Sequence, residues 1–201
     1  MQLFIAFEGP DGCGKTTIAS RITETLQADY DVVRTREPGG TAISETIRNL
    51  ILDNHNVAMT ARTEALLYAA ARAQHTEELI RPALDAGKIV ITERYVISSY
   101  VYQGFARGLG VEAVKAINAF ATAQLRPDIT FIFDTKAQRS VERKLMLGAD
   151  RMENAGASFH DSVAQAYRHF YDDDGVVVID ATQSIDEVYA ACMREIETRL
   201  S

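Results

Sequence analysis

Three groups of residues in this chain have types and spacing suited to phosphate chemistry. The first is Gly9-Pro10-Asp11-Gly12-Cys13-Gly14-Lys15-Thr16-Thr17, which fits G-x-x-x-x-G-K-[ST] in full. Its glycines let the backbone curl until several N–H groups face one anion, and a helix starting near Lys15 adds its partial positive end. The Lys15 ammonium can bridge the β- and γ-phosphates of ATP, and the Thr16 hydroxyl suits a Mg²⁺ bound to them. Asp11 is either a solvated turn residue or a partner of Mg²⁺ or of an acceptor's sugar hydroxyl. Pro10, Asp11 and Cys13 bring no base to the loop, so charge for a migrating phosphoryl group must come from elsewhere. The second group centres on Arg94, which ends an apolar run. A guanidinium there can hold an acceptor phosphate bidentately or close a structural ion pair. The third is Arg143, Lys144 and Arg151 around Leu147-Gly148-Ala149. It is either a solvated charged helix end or a lid that closes over ATP and supplies the missing charge.

The elements that must position these groups follow from periodicity. Short apolar runs at Leu3–Phe7, Lys88–Thr92, Ile129–Phe133 and Val176–Ile179, with a weaker one at Asp31–Arg34, read as buried strands of a parallel sheet. Between them, helical periods span Thr16–Gln27, Ile43–Leu52, Thr63–Leu84, Val111–Leu125, Ala137–Leu147, Ser158–Tyr171 and Ile185–Leu200. Strands alternating with helices predict a doubly wound α/β fold, a five-stranded parallel sheet flanked by helices. Gly- and polar-rich breaks at Glu37–Thr41, Gly104–Gly110 and Gly148–Gly156 are expected as loops. With no repeat or linker in view, residues 1–201 read as one domain.

Composition sets the outer limits. The chain has 201 residues, 47% hydrophobic and 24% charged, with a net charge of −7. That profile fits a soluble globular protein and argues against a nucleic-acid partner held by a basic surface. Cys13 and Cys192 stand far apart without ligand-spaced neighbours, so neither a disulfide framework nor a zinc site is expected. No basic leader precedes the first strand and no apolar run reaches membrane-spanning length, which points to the cytoplasm.

The order of motifs resembles the thymidylate kinase family, a branch of the P-loop NTPases. Phe7-Glu8-Gly9-Pro10-Asp11-Gly12-Cys13-Gly14-Lys15-Thr16-Thr17 looks like the family's opening, and Thr35-Arg36-Glu37-Pro38-Gly39-Gly40-Thr41 its T-R-E-P-G-G segment. Leu66-Leu67-Tyr68-Ala69-Ala70-Ala71-Arg72, Glu93-Arg94-Tyr95, Tyr102-Gln103-Gly104 and Asp150-Arg151-Met152-Glu153 follow in register. The resemblance implies a dTMP kinase that uses ATP with Mg²⁺ and forms a homodimer. It implies that Arg94 and Arg48 grip the acceptor phosphate and that Glu37 belongs to the dTMP site. It also puts Tyr68 on the thymine face, Arg72 at a base carbonyl, Ser99 and Gln103 at the polar base edge, and Tyr102 near the sugar. Arg143 would pack on adenine and Arg151 would neutralise transition-state charge, within a phosphate loop at 9–17 and a lid at about 143–157. Spacing alone would explain Tyr68 by packing, and Ser99 with Gln103 by a cap and a solvated amide.

Two departures stand out. Glu93 replaces the family's Asp, so a carboxylate that orients Mg²⁺ or its water shell would shift by about 1.5 Å. Cys13 is either an inert small residue or a thiol activated by the helix N-terminus. The rival functions are a kinase for another small acceptor and a nucleotide-dependent switch that uses the loop alone.

Overall fold

The computed structural model of the chain describes residues 2–135 and 150–200. Five strands, β1 (Leu3–Glu8), β2 (Val32–Arg36), β3 (Ile89–Glu93), β4 (Ile129–Asp134) and β5 (Val176–Asp180), form one all-parallel sheet in the order β2-β3-β1-β4-β5. The expected five-stranded parallel sheet is thus present, with each strand within two residues of its predicted bounds. β1 is buried along its whole length because it lies centrally and is covered on both faces. Its side chains alternate between two cores. Leu3, Ile5 and Phe7 join helix α1 (Lys15–Leu26) and helix α8 (Ile185–Leu200) on one face, and Phe4 and Ala6 pack with Ile80, Val90 and Tyr95 on the other.

This topology carries the site. The chain leaves the carboxyl end of the central strand directly into the phosphate loop, and β3 ends beside it. Phe7 pairs with Glu93, and the Arg94 amide donates to the Phe7 carbonyl at 2.8 Å. Ligands of open α/β sheets collect at such a crevice, where strand order reverses. Gly14 opens α1 with φ 97°, a left-handed conformation that a side chain would strain. Thr41 and Thr60 cap the next two helices, α2 (Ala42–Leu52) and α3 (Ala61–His75), through their hydroxyls.

The long helical period at Thr63–Leu84 is broken: α3 runs into a wide turn at Thr76–Ile80 and then α4 (Arg81–Asp85). The larger departure follows β3. The chain enters α5 (Val96–Ser99) and widens to i→i+5 bonding through Tyr100–Ala106, so Gly104, expected in a loop, lies within helical structure. A Cβ on Gly104 would stand 3.2 Å from the Val111 Cα, so the glycine serves close packing rather than a chain break. Helix α6 (Val111–Ala121) stops short of Leu125 because Ala123 and Gln124 turn left-handed, at φ 45° and 60°. Helix α7 (Ala157–Tyr167) ends before the predicted Tyr171, in a tight turn at Arg168–Phe170. The predicted helix Ala137–Leu147, with Arg143, Lys144 and Leu147–Ala149, lies outside the described residues. Among the described residues, no helix is long and apolar enough to cross a membrane.

Candidate active site

A cleft of about 470 Å³ opens at the carboxyl ends of β1, β2 and β3. On one side stands the phosphate loop, with Asp11, Gly12, Gly14, Lys15, Thr16 and Thr17 lining the wall. The Lys15 ammonium is buried and folded onto its own loop, donating to the carbonyls of Gly9 at 2.9 Å and Pro10 at 2.7 Å, with Cys13 Sγ at 3.5 Å. Burial lowers its pKa from the usual lysine value, against the pull of Cys13. A phosphate would restore the preference for charge. Cys13 itself is buried against the core.

Arg94 forms the floor. Its Nη2 donates to Asp11 Oδ1 at 2.8 Å and Tyr102 OH at 3.2 Å, and its Nη1 to Ser98 Oγ at 3.0 Å and Tyr167 OH at 3.2 Å. Burial opposes its charge, but Asp11 and its other neighbours outweigh that and raise its pKa well above the ordinary value. The backbone at Arg94 has φ 68°, a left-handed conformation uncommon for any residue but glycine and costly unless its surroundings enforce it. Arg48, from α2, reaches in from the opposite wall and donates to the Pro38 carbonyl at 2.8 Å. Its pKa is lowered by burial and by nearby Arg36. Two guanidiniums held in one cleft suit an anion.

Deeper lies the pocket that holds Tyr68, Arg72, Ser99 and Gln103 together. Arg72 is 2% exposed. It donates from Nε to Glu37 at 2.6 Å, from Nη1 to Ser99 Oγ at 2.9 Å and to Asn118 Oδ1, and from Nη2 to the Tyr95 carbonyl at 3.0 Å. Among the described residues these bonds use four of the five N–H groups of a guanidinium, and the fifth, on Nη2, has no partner among them. Glu37 also faces His75 Nδ1 at 3.0 Å, so its carboxylate is a buried anchor for Arg72. Gln103 donates its amide to Glu64 at 3.0 Å. Tyr102 reaches back to Asp11 Oδ2 at 3.2 Å and joins this pocket to the phosphate loop.

Arg151 is placed elsewhere. Its Nη2 meets Glu64 Oε2 at 2.8 Å and its Nε the Ile51 carbonyl at 2.6 Å, while its neighbours Asp150 and Met152 line the cleft. Burial raises the Glu64 pKa, but bonds from Arg107 and Gln103 outweigh it and leave the carboxyl below its usual range. The structure therefore gathers the phosphate loop, Arg94, Arg48, Tyr68, Arg72, Ser99, Tyr102 and Gln103, and leaves Arg151 on Glu64. Several polar members escaped sequence reasoning: Glu8, Glu64, Ser98, Asn118 and Tyr167, all buried. Only Glu8 carried a signal, as a charged residue closing an apolar strand. The others reveal themselves only through partners distant in sequence.

Thr16 Oγ1 and Glu93 Oε2 lie 2.5 Å apart, and Arg34 holds the other Glu93 oxygen at 2.8 Å. Hydroxyl and carboxylate oxygens beside the loop fit a hard divalent cation. Among the described residues no group of three or more His, Cys, Asp or Glu is spaced to hold a metal alone. An ion here would complete its shell with phosphate and water.

Comparison with known proteins agrees with this geometry. The thymidylate kinase family model matches residues 7–192. A thymidylate kinase of Finegoldia magna is 48% identical over 98% of this chain and 98% of its own length. One of Lactobacillus helveticus is 48% identical over 98% and 96%, and one of Acholeplasma laidlawii 44% identical over 98% and 100%.

Proposed function

The chain belongs to the thymidylate kinase family and phosphorylates dTMP, and on that premise we propose how its cleft moves the γ-phosphate of ATP onto the dTMP 5′-phosphate. The products are ADP and dTDP, a step toward dTTP. The observation that carries the assignment is the continuity of one cleft from the phosphate loop through Arg94 and Arg48 to the pocket of Tyr68, Arg72, Ser99 and Gln103.

The reaction runs by positioning and electrostatics, because the attacking phosphate oxygen is already ionised near neutral pH. Residues 9–17 and Lys15 hold the ATP phosphates. Arg94 and Arg48 hold the acceptor phosphate, and Asp11 and Tyr102 fix the Arg94 fork from below. Tyr68 covers the base, and the remaining Arg72 Nη2–H meets a base carbonyl, with Ser99 and Gln103 along the polar edge. Thr16 and Glu93 would hold Mg²⁺, partly through water, and an ion held there would supply positive charge against the transferring phosphates. Arg151 serves the migrating phosphoryl group by exchanging Glu64 for phosphate oxygens, and Arg143 packs on adenine. Residues 1–201 work as one domain, in the cytoplasm, as a homodimer.

Replacement Arg94→Ala tests the acceptor assignment. The KM for dTMP is expected to rise by a factor of about 30 or more, since a bidentate charged contact is lost, while the KM for ATP stays within about threefold. A rise in the ATP KM with an unchanged dTMP KM would move Arg94 to the donor side.

A further inference from the structure

Glu8 is fully buried at the carboxyl end of the central strand, one residue before the phosphate loop, and no step above uses it. A buried carboxylate persists only when its acceptors are satisfied, and here its two oxygens divide the work. Oε1 takes the backbone amides of Tyr95 at 2.8 Å and Ser98 at 3.1 Å. Oε2 takes the hydroxyls of Ser98 at 2.5 Å and Tyr167 at 3.1 Å. A carboxylate only accepts, so the Ser98 and Tyr167 protons are drawn toward Glu8, and the two hydroxyl oxygens, 3.1 Å from each other, keep lone pairs for other donors. Those oxygens are the ones that receive Arg94 Nη1, at 3.0 and 3.2 Å.

We infer that Glu8 is a positioning residue for dTMP binding: through Ser98 and Tyr167 it sets the polarity of the seat that aims the Arg94 guanidinium at the acceptor phosphate. The inference rests on the reading of Arg94 as the phosphate grip. One end of Glu8 fixes the turn after β3, where Arg94 adopts φ 68°. The other end fixes the proton direction of two hydroxyls supplied by α5 and by the last residue of α7. Asp11 and Tyr102 hold Nη2, so the Glu8 relay governs the Nη1 half of the fork. Without it the guanidinium keeps its charge but loses its fixed angle, and bidentate geometry is what a phosphate reads.

The division of labour makes the idea testable. In Glu8→Gln the amide oxygen can still accept both backbone N–H groups, but the NH₂ must donate where Oε2 accepted. The hydroxyls then reverse and compete with Arg94 instead of receiving it. Binding of dTMP and of thymidine would be measured by calorimetry on wild type, Glu8→Gln, the double variant Ser98→Ala/Tyr167→Phe, and Arg94→Ala, alongside thermal melts. The expected result is dTMP binding weakened about tenfold in Glu8→Gln and at least as much in the double variant, with thymidine binding unchanged. Thymidine lacks the phosphate, so a merely structural role for Glu8 would weaken both ligands together, and that outcome overturns the proposal. So does unchanged dTMP binding in Glu8→Gln while Arg94→Ala loses it. If Arg94→Ala binds dTMP normally, the phosphate-grip reading itself falls, and the relay with it.

Discussion

At the scale of single residues, the cleft is built from charges that burial has made costly and partners that make them tolerable. Lys15 spends its protons on two carbonyls, Arg94 is steadied by Asp11, and Arg72 commits most of its fork to Glu37, Asn118, Ser99 and Tyr95. Arg94 and Arg72 are thereby oriented in advance, and such preorganisation lets electrostatics act with little reorganisation. Near the cleft's rim, Glu45 accepts Arg36 at 2.6 Å and the Gly40 amide at 2.8 Å. The Arg36 bond is the main reason its pKa is lowered to about 2. A folded-state pKa below the unfolded value means the contribution is complete above about pH 4.3, the free glutamate pKa, and is lost as pH falls through about 2. The substitution Glu45→Gln should therefore lower stability at neutral pH and flatten the acid limb of a stability-versus-pH curve, the variant and wild type converging as pH falls toward 2. An acid limb as steep as wild type would show that this pair is screened out by solvent.

At the scale of elements, the loop from Glu37 to Thr41 shows how backbone and side chain depend on each other. Gly40 has φ 90°, and a Cβ there would stand 2.5 Å from Thr35 Oγ1 and 2.6 Å from His75 Nε2. The change Gly40→Ala is expected to cost about 2–4 kcal/mol from strain and overpacking, read as a lowered denaturation midpoint. It should also raise the dTMP KM by disturbing Glu37 beneath Arg72. A variant as stable as wild type would contradict the packing described. Elements of this kind were partly legible in sequence. The strands were readable because central parallel strands must be apolar on both faces, and the phosphate loop because glycines and lysine occur in that order for one purpose. The wide helical segment Tyr100–Ala106 was not, because Gly104 reads locally as a chain break and only the approach of Val111 explains it. Glu64 was invisible for the same reason: Gln103, Arg107 and Arg151 lie far along the chain and meet on it only after folding. The role of Tyr68, Ser99 and Gln103 came from family resemblance, since their spacing fits ordinary packing equally well.

At the scale of the whole molecule, α3 packs against both α2 and α6, and these helices turn apolar side chains outward. Ile43, Leu50 and Leu66 are about half exposed and Phe120 is 91% exposed, while Ile47 on α2 is partly buried. Exposed apolar side chains of this kind suit an interface, and under the proposed homodimer this face would receive the second copy of the chain. Paired charges at Ile47→Glu and Phe120→Glu should yield a monomer by analytical ultracentrifugation, and an intact dimer would place the interface elsewhere. The net charge of −7 makes an anionic substrate pair depend on the local basic residues of the cleft rather than on a long-range field. The most direct check on the account as a whole is ADP release from Mg-ATP with dTMP, dUMP, dCMP, AMP, GMP and thymidine offered as acceptors. Turnover is expected to be stimulated by dTMP well above the purine nucleotides, dCMP and thymidine. Preference for another acceptor would contradict the base pocket, and ADP release indifferent to any acceptor would contradict the cleft's assignment as a kinase site.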